Sequence, residues 1–276
     1  MHGNKWLALL ISLMIMLLCA GAALMLYPYI YGAIVDHEIT LNAEDFLIRV
    51  EPAEVNTIPI QTAPEQETQW EPVTVPVVLP VESTPPTEAR EVPYESLRYA
   101  METYNRTIFQ QGQSGLSCEY DYQKPSFSLL EYGIQDEIFG VITIPAMDLE
   151  MPIYLGATYQ HMADGAAHLS QTSLPIGGEN TNCVIAGHRG WRGASYFRYI
   201  EKLRIGDEVR ITNLWETLHY RVVDIQIIAP YEVERILIQE GRDLITLLTC
   251  HPYASGGKQR YLVFCERVML PEQANP

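Results

Sequence analysis

The run Thr246-Leu247-Leu248-Thr249-Cys250 carries an apolar, strand-forming stretch up to a cysteine, and an arginine, Arg260, stands shortly downstream. Upstream lies the pair Gly187-His188. A free thiol has a reference pKa of about 8.5 and is mostly protonated at neutral pH, so a nucleophilic cysteine needs an imidazole or guanidinium nearby to favour the thiolate. Both are available here, and the chemistry they point to is nucleophilic catalysis at the sulfur of Cys250 with His188 as its base.

Three elements must position these groups. Asp243 to Cys250 has no Gly or Pro and is rich in β-formers, which predicts a buried strand stopped by His251-Pro252. Arg260 to Glu266 predicts a second strand, reached through a loop whose Ser255-Gly256-Gly257 is turn-prone. Paired as a hairpin, the two strands would set Arg260 opposite the thiol. Asn182 to Ala186 predicts a third strand, ending at Gly187-His188.

Other residues of the same types compete for these roles. Cysteine is among the most buried residue types, and Cys19, Cys183 and Cys265 fall inside apolar runs while Cys118 lies in an irregular stretch, so these four read as structural. A disulfide among Cys118, Cys183 and Cys265 is open outside the membrane, but nothing in their spacing supports one. His251 adjoins the nucleophile, yet adjacent strand residues point to opposite faces, which makes it a rim residue touching substrate rather than the base. His219 falls in a strand-like segment, His161 and His168 in a loop-rich one, and His2 and His37 flank an apolar run. Arg189 and Arg192 stand beside His188 and could bind a carboxylate of a second substrate.

Taken together, Thr246 to Cys250, the downstream Arg260 and the upstream Ala186-Gly187-His188 resemble the sortase family of Gram-positive cysteine transpeptidases. The likeness extends through Phe139 to Pro145, Thr172 to Gly178, Leu203 to Asp207 and His219 to Asp224, and so over most of Ile138 to Val268. It implies a mainly β fold, a closed barrel with short helices. It also implies roles: Cys250 attacks the Thr-Gly carbonyl of a Leu-Pro-x-Thr-Gly-like sorting signal, His188 protonates the leaving amine and later deprotonates the incoming one, and Arg260 stabilises the oxyanion. Ala186, Leu248, Thr249 and His251 would contribute to the substrate groove. The implied partners are surface proteins or pilins bearing a C-terminal sorting signal, and an amine acceptor, either a pilin lysine or a peptidoglycan precursor. No cofactor and no metal is implied.

The rest of the chain sets where this chemistry happens. Trp6 to Tyr27 holds no charged residue and would be about 33 Å long as a helix, enough for a bilayer core of roughly 30 Å. The apolar run continues to Tyr31, longer than a secretory core, so residues 6–31 read as a retained signal anchor despite the small residues Ala20-Gly21-Ala22. Leu18 before Cys19 is bulky where a lipoprotein signal wants a small residue. Lys5 precedes the run and Asp36, Glu38, Glu44 and Asp45 follow it, which favours residues 1–5 inside and a single-pass protein with its catalytic part on the cell surface.

Residues 36–93 are acidic, with Arg49 and Arg90 the only basic residues, and hold nine of the eighteen prolines. Such a stretch predicts a disordered, extended linker acting as a spacer, and it carries most of the formal net charge of −16. Residues 94–135 open with helical periodicity, Leu97, Ala100, Met101 and Tyr104 on one side, in an extension that could pack on the barrel or cover its groove. The barrel is expected over 136–270, with short helices near Ser195 to Glu201 and Glu232 to Glu240. No phosphate loop, paired-cysteine zinc spacing or basic stripe for nucleic acid is present.

Within the family, Gly187 to Gly190, Leu247 to Cys250 and Pro252-Tyr253 are most similar to the pilin-polymerising class C. The chain lacks the Asp-Pro-aromatic lid motif and has no second apolar run after the barrel. Two readings stand beside transpeptidation: a hydrolytic surface cysteine peptidase using the same dyad, and a membrane-held binding module with a degenerate site.

Overall fold

The computed structural model describes residues 3–50, 93–116 and 123–269. Cys118, His2, the greater part of the expected linker and the C-terminal tail lie outside the described residues.

Among the described residues there are three α-helices and eight strands: α1 (Gly3–Val50), α2 (Glu95–Gln110), β1 (Ile138–Ile144), β2 (Leu149–Leu155), α3 (Tyr159–Asp164), β3 (Ala166–His168), β4 (Thr181–Ala186), β5 (Glu208–Asn213), β6 (Thr217–Ile228), β7 (Asp243–His251) and β8 (Gln259–Arg267). The strands close into a barrel in the order β1-β2-β3-β4-β7-β8-β6-β5. Closure leaves no edge strand to pair with another chain. The pairs β2·β3 and β4·β7 are parallel, and the others are antiparallel.

Strand periodicity explains what fills it. Ile142, Ile144, Ile153, Cys183, Ile185, Val209, Ile211, Ile245, Leu247, Val263 and Cys265 share one interior cluster. Their alternate neighbours Val184, Ala186, Leu262 and Phe264 form a second cluster with Leu169, Ile228 and Ile236 on the outer side of β4 and β8. Burying each aliphatic side chain contributes about 1.5–3 kcal/mol, so both faces of these strands are held in place. The expected barrel helices are short 3-10 turns, Ile200–Lys202 and Val233–Ile236.

The boundary expected at residue 36 is corrected. Residues 36–50 are not linker: α1 continues unbroken to Val50, and Ile39, Ala43 and Phe46 are buried. Those positions recur at i, i+4 and i+7, one face of a helix, which outweighs the acidic composition of the intervening residues. Ala43 and Phe46 pack with Leu97 and Met101 of α2 and with Phe139 and Leu155 of the barrel. The α2 helix therefore packs on the barrel wall rather than on a groove, and its buried Asn105 ties it there by accepting the Leu174 N–H at 2.7 Å.

Candidate active site

Cys250, Leu248, Ala186, Arg260 and Leu262 are placed on one outer face by pairing register. Ala186 pairs with Leu248 in the parallel β4·β7 ladder, and Leu248 with Leu262 and Cys250 with Arg260 in the antiparallel β7·β8 ladder. Continuing the β4 register by two residues takes His188 to the level of Cys250. Gly187 holds that course: its N–H donates to Leu248 O at 3.1 Å, and its carbonyl accepts the Thr249 hydroxyl at 2.6 Å. A β-carbon at Gly187 would stand 2.7 Å from the Phe197 ring, so only glycine admits this close packing.

His188, Cys250 and Arg260 line one cavity of about 260 Å³, together with Ala186, Leu248 and Thr249. Its remaining wall is largely apolar, with Met162, Leu169, Ile228, Val233 and Ile236 among its members. Met162 comes from α3, Leu169 from the loop after β3, Ile228 from the end of β6, and Val233 and Ile236 from the β6–β7 connection. No local motif marks them, and only the fold brings them together.

The cysteine is exposed and free. Across the hairpin, Arg260 Nη1 donates to Gly257 O at 2.7 Å, which draws the guanidinium back toward the loop above the thiol. Gly257 has φ +79°, and a β-carbon there would lie 3.3 Å from Cys250 Sγ and 3.1 Å from Arg260 Nη1. The imidazole of His188 stacks on Trp191 at 5.2 Å between centroids and meets Tyr196 edge-on at 5.6 Å. Burial lowers its pKa below the ordinary 6.5, so the ring is largely neutral at pH 7.

His251 departs from its expected place at the rim. It turns to the opposite face, as strand alternation requires, where it lies 3.4 Å from both Arg189 Nη1 and Glu201 Oε1 and packs against Tyr261. It is not among the residues lining the cavity. Arg189 is likewise buried behind the nucleophile, paired with Glu201 at 2.8 Å and donating to Cys250 O at 3.4 Å, so it supports β7 rather than reaching for a substrate carboxylate. Arg192 instead covers the Trp191 ring at 4.3 Å.

The other candidates separate cleanly. Cys183 and Cys265 are buried in the barrel core, where desolvation pushes both thiols up. Cys19, Cys183, Cys250 and Cys265 are all free, so no disulfide joins the described residues. His219 meets Glu208 at 3.1 Å and His161 meets Gly156 O at 2.8 Å, and neither lines the cavity. His168 is fully buried. No group of three or more metal-ligating side chains occurs among the described residues.

The sortase-domain family model matches residues 142–268, a span that contains all three of these polar groups. Sortase C1 of GBS pilus island 1 is 30% identical, with a TM-score of 0.60 over 66% of this chain and 92% of that one. The chain belongs to the sortase family. Sortase C of Clostridium perfringens SM101 superposes similarly, at 30% identity and a TM-score of 0.53 over 66% of this chain and 93% of that one. Among curated relatives, sortase D of Bacillus subtilis is 28% identical over 131 residues and sortase A of Bacillus anthracis 28% over 127. These alignments cover 47% and 46% of this chain, and 63% and 58% of the relatives' lengths. The structural likeness thus runs to class C sortases, as the residues around Cys250 and His188 imply, and at 66% of the chain it is longer than the 142–268 span of the family model.

Proposed function

We propose that this sortase is a cysteine transpeptidase that cleaves a Leu-Pro-x-Thr-Gly-like sorting signal between Thr and Gly and passes the acyl group to an amine. The observation that carries this reading is the common cavity of His188, Cys250 and Arg260, with Cys250 and Arg260 as register partners. His188 takes the Cys250 thiol proton, the thiolate so formed attacks the Thr carbonyl carbon, and negative charge develops on its oxygen. Arg260, a guanidinium fork on the facing strand, stabilises that oxyanion. As the C–N bond breaks, His188 gives a proton to the departing Gly nitrogen, leaving a thioester on Cys250. An incoming amine attacks the thioester, His188 takes its proton, and the C–S bond breaks to restore the thiolate. The apolar wall of Met162, Leu169, Ile228, Val233 and Ile236 suits the Leu-Pro part of such a signal.

Anchoring completes the reading. One helix among the described residues, α1, is long and apolar enough to cross a membrane, and its apolar part is exposed along its length. With Lys5 before it and acidic residues after it, the barrel lies on the outer face of a cell membrane. The likeness to a sortase of a pilus island supports a pilin lysine as acceptor, and the peptidoglycan cross-bridge amine is the competing one.

Intact mass of the protein incubated with Leu-Pro-x-Thr-Gly peptides, with and without lysine-bearing or cross-bridge amines, tests this reading. A thioacyl adduct that needs Cys250 and becomes an amide when amine is added is the expected result. Cleavage that yields only acid at every amine concentration would make it a peptidase, and no adduct with any signal would make it a binding module.

A further inference from the structure

The α1 helix does more than cross the bilayer. From the end of the apolar run, Pro28, Tyr31, Gly32, Val35, Asp36, Ile39, Ala43 and Phe46 recur at three- and four-residue intervals, a continuous stripe along one face. Gly32 is buried against Gly193 so closely that a β-carbon on either glycine would overlap the other segment's backbone. One turn further, the Asp36 carboxylate accepts the Ser195 N–H at 2.8 Å and the Ser195 hydroxyl at 3.2 Å. Val35 packs on the barrel core, and Ile39 belongs to it.

The segment so gripped is the loop that leaves His188. It is closed by Phe197 N–H to His188 O at 2.9 Å and by the Trp191·Ala194 bridge. Two of its rings, Trp191 and Tyr196, flank the His188 imidazole. Tyr196, the residue after Ser195, is itself anchored by its hydroxyl to Ala163 O at 2.6 Å. Asp36 therefore bears on the base through a short covalent and packed path.

A second observation concerns reach. Val50, where α1 ends, and Pro93, where the chain is next described, line one and the same cavity of about 540 Å³. The two ends that flank residues 51–92 thus meet at one place on the barrel, and among the described residues α1 alone connects the apolar run to it. Gly32 follows Tyr27 by about 7 Å along a helix axis and Asp36 by about 13 Å.

We propose that α1 is part of the catalytic unit: its Gly32 and Asp36 clamp the loop behind His188, with Asp36 as a positioning residue for the base, and this docking, rather than the acidic segment 51–92, fixes the cleft close to the bilayer surface. The effect on turnover rests on the transpeptidase reading, whereas the docking itself does not.

The experiment uses the full chain in phosphatidylcholine–phosphatidylglycerol nanodiscs. Amide hydrogen exchange is followed over residues 189–197, and cleavage of a Leu-Pro-x-Thr-Gly peptide is measured alongside. Gly32→Leu is expected to raise exchange across that loop at least tenfold and to lower kcat, while Cys250→Ala, which has no turnover, keeps wild-type exchange. Asp36→Ala is expected to lower kcat about tenfold with KM unchanged, and Asp36→Asn, which keeps an acceptor for the Ser195 N–H, to restore it to within about threefold. Replacing residues 51–92 with a ten-residue Gly/Ser bridge is expected to leave exchange and turnover within twofold. Unchanged exchange in Gly32→Leu overturns the docking, equal kcat in Asp36→Ala and wild type overturns the positioning role, and loss of turnover in the bridged protein returns the spacer role to 51–92. Should wild type cleave no such peptide, the exchange comparison still decides the docking while the transpeptidase reading falls separately.

Discussion

The hydroxyl of Thr249 donates to the carbonyl of Gly187 at 2.6 Å, so the residue before the nucleophile is bonded to the residue before the base. Both belong to segments whose separation along the chain is 62 residues. The bond is buried, and a valine at 249 would leave the Gly187 oxygen without it, at a cost of about 1–3 kcal/mol. Thr249→Val should therefore lower the melting temperature by several degrees and kcat by roughly tenfold, while Thr249→Ser preserves both. Calorimetry beside steady-state kinetics checks this. A valine variant with wild-type kcat would mean that the two strands hold Cys250 and His188 in register without this bond.

Gly257 is expected to be intolerant of even one methyl group. Its φ of +79° disfavours any side chain, and the added carbon would stand between Cys250 Sγ and Arg260 Nη1. Gly257→Ala should slow both peptide cleavage and alkylation of Cys250 by iodoacetamide at least tenfold. Because the position sits in an exposed loop, the barrel itself should lose no more than about 1–3 kcal/mol, the usual range for backbone strain at one residue. Equal alkylation rates in variant and wild type would remove Gly257 from the site.

Arg260 should act through its planar fork. Losing one preorganised oxyanion donor commonly costs about 10²–10³ in kcat. Arg260→Ala is expected in that range, and Arg260→Lys is expected to recover little of it, since an ammonium cannot reproduce two fixed donors. The drop should appear in kcat, because the oxyanion exists only in the transition state. Full turnover in the lysine variant would transfer the role to another donor.

The parts of this site that could be read from sequence are those governed by strand periodicity. Asp243–His251 and Gln259–Arg267 are rich in β-formers and free of Gly and Pro, around a glycine-bearing turn, and the hairpin they predict sets Cys250 opposite Arg260 as the structure does. The turning away of His251 follows from the same alternation, although its contact with Glu201 on the opposite face does not. Composition misled at residues 36–50, where charged and polar side chains on the solvent face of α1 obscured Ile39, Ala43 and Phe46 on the other. The cavity wall was unreadable for a different reason. Met162, Leu169, Ile228 and Ile236 are ordinary apolar residues locally, and their function comes from distant elements meeting over β4 and β7.

Acid sensitivity should originate at His168, which does not line the cavity that holds the nucleophile. The ring is fully buried, its Nε2 lies 3.3 Å from Thr172 O and 3.2 Å from Thr172 Oγ1, and its Nδ1 has no partner. Burial lowers its pKa from 6.5 to about 4. Since the folded pKa is depressed, the unfolded chain binds the proton first as pH falls. The stability tied to the neutral ring is intact above pH 6.5, declines between there and about pH 4, and amounts to on the order of 3 kcal/mol. Denaturant unfolding at pH 7, 5.5 and 4 should show this loss in the wild type, on top of carboxylate titration common to both proteins. In His168→Gln the additional loss should vanish, so the two stability curves converge on acidification. Curves that stay parallel from pH 7 to 4 would assign the acid sensitivity to other groups.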